Sequence, residues 1–276
     1  MSRILRALLT RSAICVAVMM AGWISGQEAP KPAKAPELKR AHEVQVAAEN
    51  RYQGDTDRRK LTLVLTNKRG EVRESKLVRY RKKQDGLWRT LLSYTVPADV
   101  RGTSTLTIER KKEDDLQRIY LPSLKKVRRI PQADKSKSWA GTDFAFEDLQ
   151  EHDPDDFNYS EMDIQEINGH PCYHYTQSPK DPETFSYGKL ENWIRKDILH
   201  PEQTKYYDKK GQYIKILYFN DIRQIDGIWT CFKLEMESLL DKHKTLFVTD
   251  KIVYNKPISD DMYTERGMLD VPEEIE

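Results

Sequence analysis

The sequence predicts a mainly β fold of the α+β class, in which a curved antiparallel sheet forms a half-open β-barrel with a helix across the concave face. Short runs alternate apolar and polar residues with a period of two, and turn signals containing glycine separate them, which is typical of an antiparallel meander. The composition, 38% hydrophobic and 33% charged, suits a sheet with one wet face and one buried face. Successive hairpins that share one apolar face must curl to bury it.

One helix and four strands can be located by their periodicity. Residues 37–51 place Leu38, Ala41 and Val44 at helical spacing, and Gly54 follows as a stop signal. Alternation of period two predicts the strands, near residues 61–66, 88–96, 105–108 and 230–236. Glycine-containing turn signals lie between them, at residues 68–70, 84–86, 168–169, 208–211 and 226–227. A further short helix is expected near residues 144–149.

The N-terminal residues 1–26 resemble a secretory signal peptide. Three arginines precede an apolar run at residues 12–24, and the small pair Ser25-Gly26 follows it. The run is shorter than the ~20 residues that a bilayer core requires, although an uncleaved membrane anchor is the alternative. Cys15 lies inside the run without the small residues that a lipoprotein cleavage motif places before its cysteine. We therefore expect a soluble secreted protein that is not a lipoprotein.

The rest of the chain is expected to be a spacer followed by one domain. Residues 27–36 are rich in Pro, Ala and Lys and indicate an extended spacer, and residues 37–276 are long enough for a single β domain. The signal segment holds three basic residues and no acidic one, so the mature chain is close to neutral. A nucleic-acid partner would need a clear basic excess, and none is expected.

The segment from residue 119 to 149 is the most specific feature of the chain. A strand end at Tyr120 and Leu121 meets Pro122, a basic run at residues 125–129 follows, and then an aromatic and acidic stretch begins at Trp139. This order resembles the signature of outer-membrane lipoprotein-sorting proteins, the LolA-like family, and shorter likenesses extend from about residue 37 to 269. The family typically has Gly-Ser-Asp-Phe where this chain has Gly-Thr-Asp-Phe at residues 141–144.

The resemblance implies a LolA-like half-barrel that carries lipid or the acyl chains of lipoproteins in an apolar cavity, without catalysis and without a cofactor. Its implied partners are an acylated lipoprotein or lipid cargo, an inner-membrane transporter as donor and an outer-membrane acceptor. A non-catalytic envelope sensor with the same fold, contacting a membrane protein, is the alternative. The candidate lipid- or partner-binding residues are Tyr94, Tyr120, Leu121, Arg128, Arg129, Trp139, Asp143, Phe144, Phe146, Asp148, Tyr173, Trp193 and Trp229.

Two of these features have more than one interpretation. The basic run at residues 125–129 is a contact for anionic headgroups or an acidic partner, a solvated hairpin end, or the source of an ion pair between Arg128 and Asp143 or Asp148. The aromatic residues Trp139 and Phe144 either line a cavity mouth or plug a core. Both of the latter alternatives predict burial.

Cysteines and histidines invite two further hypotheses. His170, Cys172 and His174 alternate on one strand, but ligands from a single strand rarely complete a tetrahedral metal site, so no metal is expected. Cys172 and Cys231 are the cysteines that remain after signal removal, and export permits a disulfide between them. The bond requires Cα atoms closer than ~7 Å, and two free thiols are the alternative.

Enzyme motifs are missing from the sequence. The nucleophile elbow, the zinc-protease motif, the phosphate loop and the dinucleotide-binding glycine pattern do not occur. The acidic stretch at residues 147–163 fails the calcium-loop pattern, because Phe157 and Asn158 stand where a ligand and a glycine are required. We therefore expect a protein that is not an enzyme.

Overall fold

The computed structural model describes residues 38–111 and 113–276, so the predicted signal peptide and spacer lie outside the described residues. These residues form one α-helix, α1 (Ala41–Glu49), and fourteen strands. The strands are β1 (Thr56–Thr66), β2 (Val72–Gln84), β3 (Leu87–Val96), β4 (Ser104–Ile108), β5 (Leu116–Leu121), β6 (Lys126–Arg129), β7 (Phe157–Tyr159), β8 (Asp163–Ile167), β9 (His170–Pro179), β10 (Lys189–Arg195), β11 (Pro201–Tyr207), β12 (Tyr213–Ile225), β13 (Ile228–Ser238) and β14 (His243–Tyr254). None of the helices in this part of the chain is long and apolar enough to span a membrane.

All fourteen strands belong to one antiparallel sheet that does not close into a barrel. Its order is β6-β5-β4-β3-β2-β1-β14-β13-β12-β11-β10-β9-β7, with β8 paired to β9. The first strand therefore pairs with the last in the middle of the sheet, where Leu63 lies opposite Phe247. The edges are β6 at one side and β7 at the other. This arrangement confirms the predicted mainly β, half-open architecture, and the predicted strands and turns lie where expected.

One face of the sheet, called here the inner face, carries the main apolar core. Alternation along the strands puts Leu61, Leu77, Leu217 and Met236 on this face, and all four are buried. The chain between β6 and β7 joins the two opposite edges of the sheet, so it has to cross one face. This crossing segment, residues 130–156, lies on the inner face, where its aromatic side chains join the same core.

Helix α1 covers the β9–β10 end of the same face. Its buried residues Ala41, Val44 and Ala48 pack against Tyr173, which lies opposite Ile194 of β10. The spacing of three and four residues gives a nine-residue helix with one apolar side, and that side is its contact with the sheet. The helix falls within the predicted range and on the predicted face.

The opposite, outer face is covered at β2–β4 by the C-terminal segment, residues 255–276. Side chains of this segment, among them Tyr263 and Met268, pack on the outward row of β2 and β3, where Val78 and Leu91 are buried. The Ser104 hydroxyl in β4 donates a hydrogen bond to the Met268 carbonyl at 2.8 Å. Both faces of the sheet are therefore buried in this region.

Candidate functional site

The centre of the inner face is an aromatic cluster built around Trp139 of the crossing segment. Trp139 is 1% exposed, and its ring centroid lies 5.8 Å from that of Tyr94 and 6.1 Å from that of Phe247. Phe144 packs edge-on against Phe247 at 5.4 Å. The indole Nε1 of Trp139 donates a hydrogen bond to Thr105 Oγ1 at 2.8 Å, so its one polar atom is satisfied within the core.

A tight turn presents these rings side by side. The backbone N–H of Trp139 donates to the Phe144 carbonyl at 2.7 Å, and the Thr142 hydroxyl donates to the Trp139 carbonyl at 2.7 Å. The chain reverses through Ala140 and Gly141, with φ of +49° and +76°. Glycine takes the second of these left-handed positions without steric cost, which explains the Trp-Ala-Gly-Thr-Asp-Phe order at residues 139–144.

Asp143 makes the first polar anchor between the crossing segment and the sheet. The Thr245 hydroxyl of β14 donates to Asp143 Oδ2 at 2.7 Å, and the backbone N–H of Asp143 donates to Thr245 Oγ1 at 2.9 Å. Burial raises the pKa of the Asp143 carboxyl. The anchor therefore fixes the turn against the middle of the sheet.

A buried ion pair makes the second anchor. The Lys215 ammonium of β12 lies 2.5 Å from Asp148 Oδ2, and the two side chains are 9% and 2% exposed. Asp148 also accepts hydrogen bonds from the Ala145 backbone N–H at 2.6 Å and from the Tyr187 hydroxyl at 2.8 Å. Lys215 Nζ lies 4.9 Å from the ring centroid of Tyr206. The ion pair with Lys215 and the hydrogen bond from Tyr187 thus hold the segment in place.

The basic run contributes nothing to these anchors. Arg128 and Arg129 are exposed on the edge strand β6, opposite Ile119 and Arg118 of β5. The ion pair of Arg128 with Asp143 or Asp148, one of the three interpretations of the run, is not formed, because Thr245 and Lys215 occupy those carboxylates. The basic side chains of the run are exposed, whereas Val127 packs on the outer-face cluster.

The remaining predicted residues are dispersed. Tyr120 packs with the outer-face cluster, and Leu121 ends β5 beside the exposed basic turn. Tyr173 lies beneath α1, whereas Trp193 faces outward and stacks on His174 at 4.6 Å between ring centroids. Trp229 is 37% exposed beside the β12–β13 turn. The structure brings together only the inner-face group, Tyr94, Trp139, Asp143, Phe144, Phe146 and Asp148.

The possible disulfide between Cys172 and Cys231 does not form, and the alternative of two free thiols holds. Cys172 of β9 and Cys231 of β13 are both free thiols. Three strands separate them in the sheet, so they lie four inter-strand spacings of ~4.8 Å apart, beyond the reach of a disulfide. Burial raises the pKa of each thiol to about 11.

The alternating histidines do not converge on a metal site. His174 has Nδ1 2.6 Å from an Asp163 oxygen and Nε2 2.9 Å from a Glu191 oxygen, so both ring nitrogens are occupied by carboxylates. Within residues 38–111 and 113–276, no group of three or more His, Cys, Asp or Glu side chains is arranged to hold a metal ion.

Two cavities flank the crossing segment. The larger, of about 950 Å³, has a mixed polar and apolar lining that includes Glu49, Trp88 and Glu151. The smaller, of about 380 Å³, opens beside Asp143 and is lined by Leu65 among others. The apolar core between them is filled by the rings of the crossing segment.

Sequence reasoning missed Thr105, Lys215 and Thr245, the sheet residues that receive the anchors. Each is a polar residue in an inward row of a strand, at a position where alternation calls for an apolar side chain. The run around Lys215, Tyr-Ile-Lys-Ile-Leu-Tyr-Phe, carries this signal, because a lysine interrupts an otherwise apolar strand.

Comparison with known proteins assigns this geometry to a family. A family model, described as that of an uncharacterized protein, matches residues 61–270. A comparison with curated proteins gives no match. Solved structures with the same fold include a DUF1329 family protein from Desulfovibrio piger, at 27% identity and a TM-score of 0.78, covering 82% of this chain and 97% of that one.

Two further structures share the fold. A domain described as an outer membrane lipoprotein-sorting protein, from Vibrio parahaemolyticus, is 24% identical with a TM-score of 0.78 and covers 83% of this chain and 98% of its own. A LolA superfamily protein from Nitrosomonas europaea is 16% identical with a TM-score of 0.66, over 83% of this chain and 99% of its own. Because its model spans residues 61–270, more than half of the chain, the chain belongs to this family of uncharacterized proteins, and it shares its fold with the DUF1329 and LolA superfamily structures.

Proposed function

We propose that the protein is a periplasmic carrier that binds lipid or lipoprotein acyl chains on its inner face and passes them towards the outer membrane or a transporter partner. One observation carries the proposal: the apolar middle of a fourteen-stranded sheet is covered by a loop, not by a second sheet. Displacing a loop that is held by a few polar anchors costs less free energy than displacing a packed sheet.

The inner face offers apolar surface beyond the rings that now cover it. Leu65, Phe219 and Leu234 are only partly buried and continue the buried row on either side of the aromatic cluster. Each methylene of an acyl chain that leaves water for such a surface contributes about 0.8 kcal/mol. A chain of ordinary length would therefore bind without any specific polar contact.

The crossing segment acts as the cover in this proposal. Trp139 and Phe144 occupy the place of an acyl chain in the empty carrier, and the Asp143 and Asp148 anchors hold them there. Cargo enters from the smaller cavity beside Asp143 and displaces the two rings, while α1 covers the far end of the same face. The candidate residues on the inner face are then contacts for the acyl chain.

The basic run has a separate role. Arg128 and Arg129 are exposed at the sheet edge and meet the anionic headgroups or the acidic partner surface from which cargo arrives. Charge reversal at Arg128 is expected to weaken that contact and leave the melting temperature unchanged, because its side chain makes no ion pair among the described residues. No catalytic step is part of the proposal.

Mass spectrometry of organic extracts tests the proposal directly. The mature protein is purified from its native envelope without detergent, and a stoichiometric lipid or acyl species is expected in the extract. Purified protein should also take up a fluorescent fatty acid, and Trp139→Ala should alter that uptake while the exposed Trp229→Ala does not. An empty extract together with no uptake would refute the carrier and favour the envelope-sensor alternative.

A further inference from the structure

A cluster of arginines lies on the inner face beyond the aromatic rings. Arg59 of β1 lies opposite Arg79 of β2, two positions along the ladder from the inner-face pair Leu61 and Leu77. Alternation therefore puts both guanidinium groups on the inner face. Arg51, two residues beyond the end of α1, reaches the same region and lies close enough to His200 to affect its titration, as Arg59 also does. The cluster continues the apolar row without a break.

One carboxylate serves the two arginines of the ladder. Asp57 is 1% exposed and accepts hydrogen bonds from Arg79 Nη2 on both oxygens at 2.8 Å and from Arg59 Nε at 3.2 Å. Burial, and then the neighbouring Arg79, lower the pKa of Arg59. A buried cation is costly unless an anion compensates it, and here two guanidinium groups share a single Asp.

The neighbouring Arg81 adds no uncompensated positive charge to the cluster. Its guanidinium stacks over the Trp88 ring at 3.7 Å and pairs with Glu151. The buried His200 adds no charge either, because burial, and then Arg51, lower its pKa to about 3. Arg59 and Arg79 thus share the single carboxylate of Asp57, while Arg51 lies near Glu49 and near Glu151, which already pairs with Arg81.

Several donors of these arginines are poorly used. Arg59 Nη1 lies 3.5 Å from the Cys231 carbonyl oxygen and Nη2 lies 3.3 Å from the Tyr254 hydroxyl, both at the long end of the hydrogen-bond range. Arg51 donates from Nη1 to the Ala48 carbonyl at 2.6 Å, while its buried Nε has no partner among the described residues. The cluster can therefore donate stronger hydrogen bonds to a ligand than it donates to these protein acceptors.

We propose that Arg51, Arg59 and Arg79 form a subsite for the oxyanion of an acylated cargo, either a lipid phosphate or a fatty-acid carboxylate. The subsite rests on the proposed carrier function and deepens it by specifying an anionic ligand. Guanidinium groups bind paired oxygens through two parallel hydrogen bonds. Such an anion would take the unused donors and balance the charge, and its chain would run from Leu61 and Leu77 along the apolar row.

Matched lipids test the subsite on the mature protein. Binding is measured for dioleoylphosphatidylglycerol, oleate and neutral dioleoylglycerol, and for inorganic phosphate alone. Arg59→Gln and Arg51→Gln are expected to weaken binding of an anionic lipid roughly tenfold or more and to leave dioleoylglycerol unchanged. Arg101→Gln is the matched control, because its side chain is 61% exposed and pairs with Glu273 of the C-terminal segment, away from the inner face.

The outcomes separate the subsite from the carrier. Equal binding of anionic and neutral lipid by the wild type, or no loss in either arginine variant, overturns the subsite and leaves the carrier standing. Binding of inorganic phosphate with no preference for anionic lipid also overturns it. Failure to bind any lipid refutes the carrier itself. If the subsite is correct, tighter binding of phosphatidylglycerol indicates a phosphate ligand, and tighter binding of oleate indicates a carboxylate ligand. An unchanged midpoint of urea unfolding establishes that Arg51→Gln is folded.

Discussion

Replacing Lys215 by methionine isolates the energetic value of the crossing segment's second anchor. The substitution keeps an unbranched apolar stem beside the Tyr206 ring and removes the ammonium group that lies 2.5 Å from Asp148. Asp148, 2% exposed, then retains only the hydrogen bonds from Ala145 and Tyr187. The variant thus leaves a carboxylate buried without its counter-charge.

The expected cost follows from the geometry. Removal of one partner from a buried pair costs about 3–5 kcal/mol, because the remaining charge is uncompensated. The two hydrogen bonds that Asp148 keeps reduce this penalty, so we expect a loss of about 3 kcal/mol. The double variant Lys215→Met/Asp148→Asn removes both charges and should recover at least about 1 kcal/mol of it, since neighbouring substitutions are not additive.

Urea unfolding followed by fluorescence measures both values, and a loss of about 3 kcal/mol lowers the midpoint by roughly 1 M or more. Lys244→Met is the control, because its side chain is 48% exposed and its pair with Glu237, at 3.1 Å, should be worth less than about 1 kcal/mol. If Lys215→Met costs no more than this control, or if the double variant costs the sum of its parts, the ion pair does not hold the crossing segment.

Three further predictions concern burial. Burial raises the pKa of Glu49 from 4.5 to about 8, so the folded carboxyl keeps a proton that the unfolded chain releases, and this contribution to stability falls as pH rises between those values. Glu49→Gln should therefore gain stability relative to the wild type from pH 5 to 8, and a urea-midpoint difference that stays constant with pH would contradict the raised pKa. Trp139→Ala should cost about 3–5 kcal/mol, against less than about 1 kcal/mol for the partly exposed Trp229→Ala, in the same unfolding assay. Both Cys172 and Cys231 should react with a thiol reagent in denaturant without reductant, whereas a disulfide would leave neither reactive.

The helix and the strands could be predicted from local sequence because apolar residues repeat in each of them at the spacing of that structure. Leu61, Leu63 and Leu65 stand at every second position of β1, and Ala41 and Val44 mark the buried side of α1. The spacing of apolar residues depends only on which side of an element is buried. The half-open sheet was inferred from the number of strands that this spacing predicts. The family resemblance led to the crossing segment before any geometry was considered.

The direction of individual side chains could not be read in the same way. Val78 and Leu91 are buried on the outer face as Leu77 is on the inner face, because the C-terminal segment covers β2–β4, so both rows of these strands contain buried apolar residues. In β10 Ile194 is buried beneath α1, and Trp193, one position away, is buried on the outer face against His174, so both rows of this strand look apolar in the sequence. Trp193 therefore lies away from the site in which the sequence placed it.

The sequence predicted which aromatic residues belong to the site, but it did not predict that their rings fill the core of the sheet. Trp139 and Phe144 were expected either to line a cavity or to plug a core, and the choice depends on where the crossing segment lies. That position is fixed by Thr105, Lys215 and Thr245, which come from strands far apart in the sequence. No local pattern connects these residues, so the anchors emerge only once the sheet order is known.

The ladder between β1 and β14 makes the inner face a late product of folding. Each half of the sheet is a series of local hairpins, but this one ladder pairs the distant residues Asp57 and Tyr254. Contacts between distant positions form slowly, and until they form β1 and β14 are open edges that can pair with other chains. The apolar row spans both halves, so the row is complete only after β14 has docked on β1. In the proposed carrier, completion of the fold and the ability to bind an acyl chain would therefore be the same event.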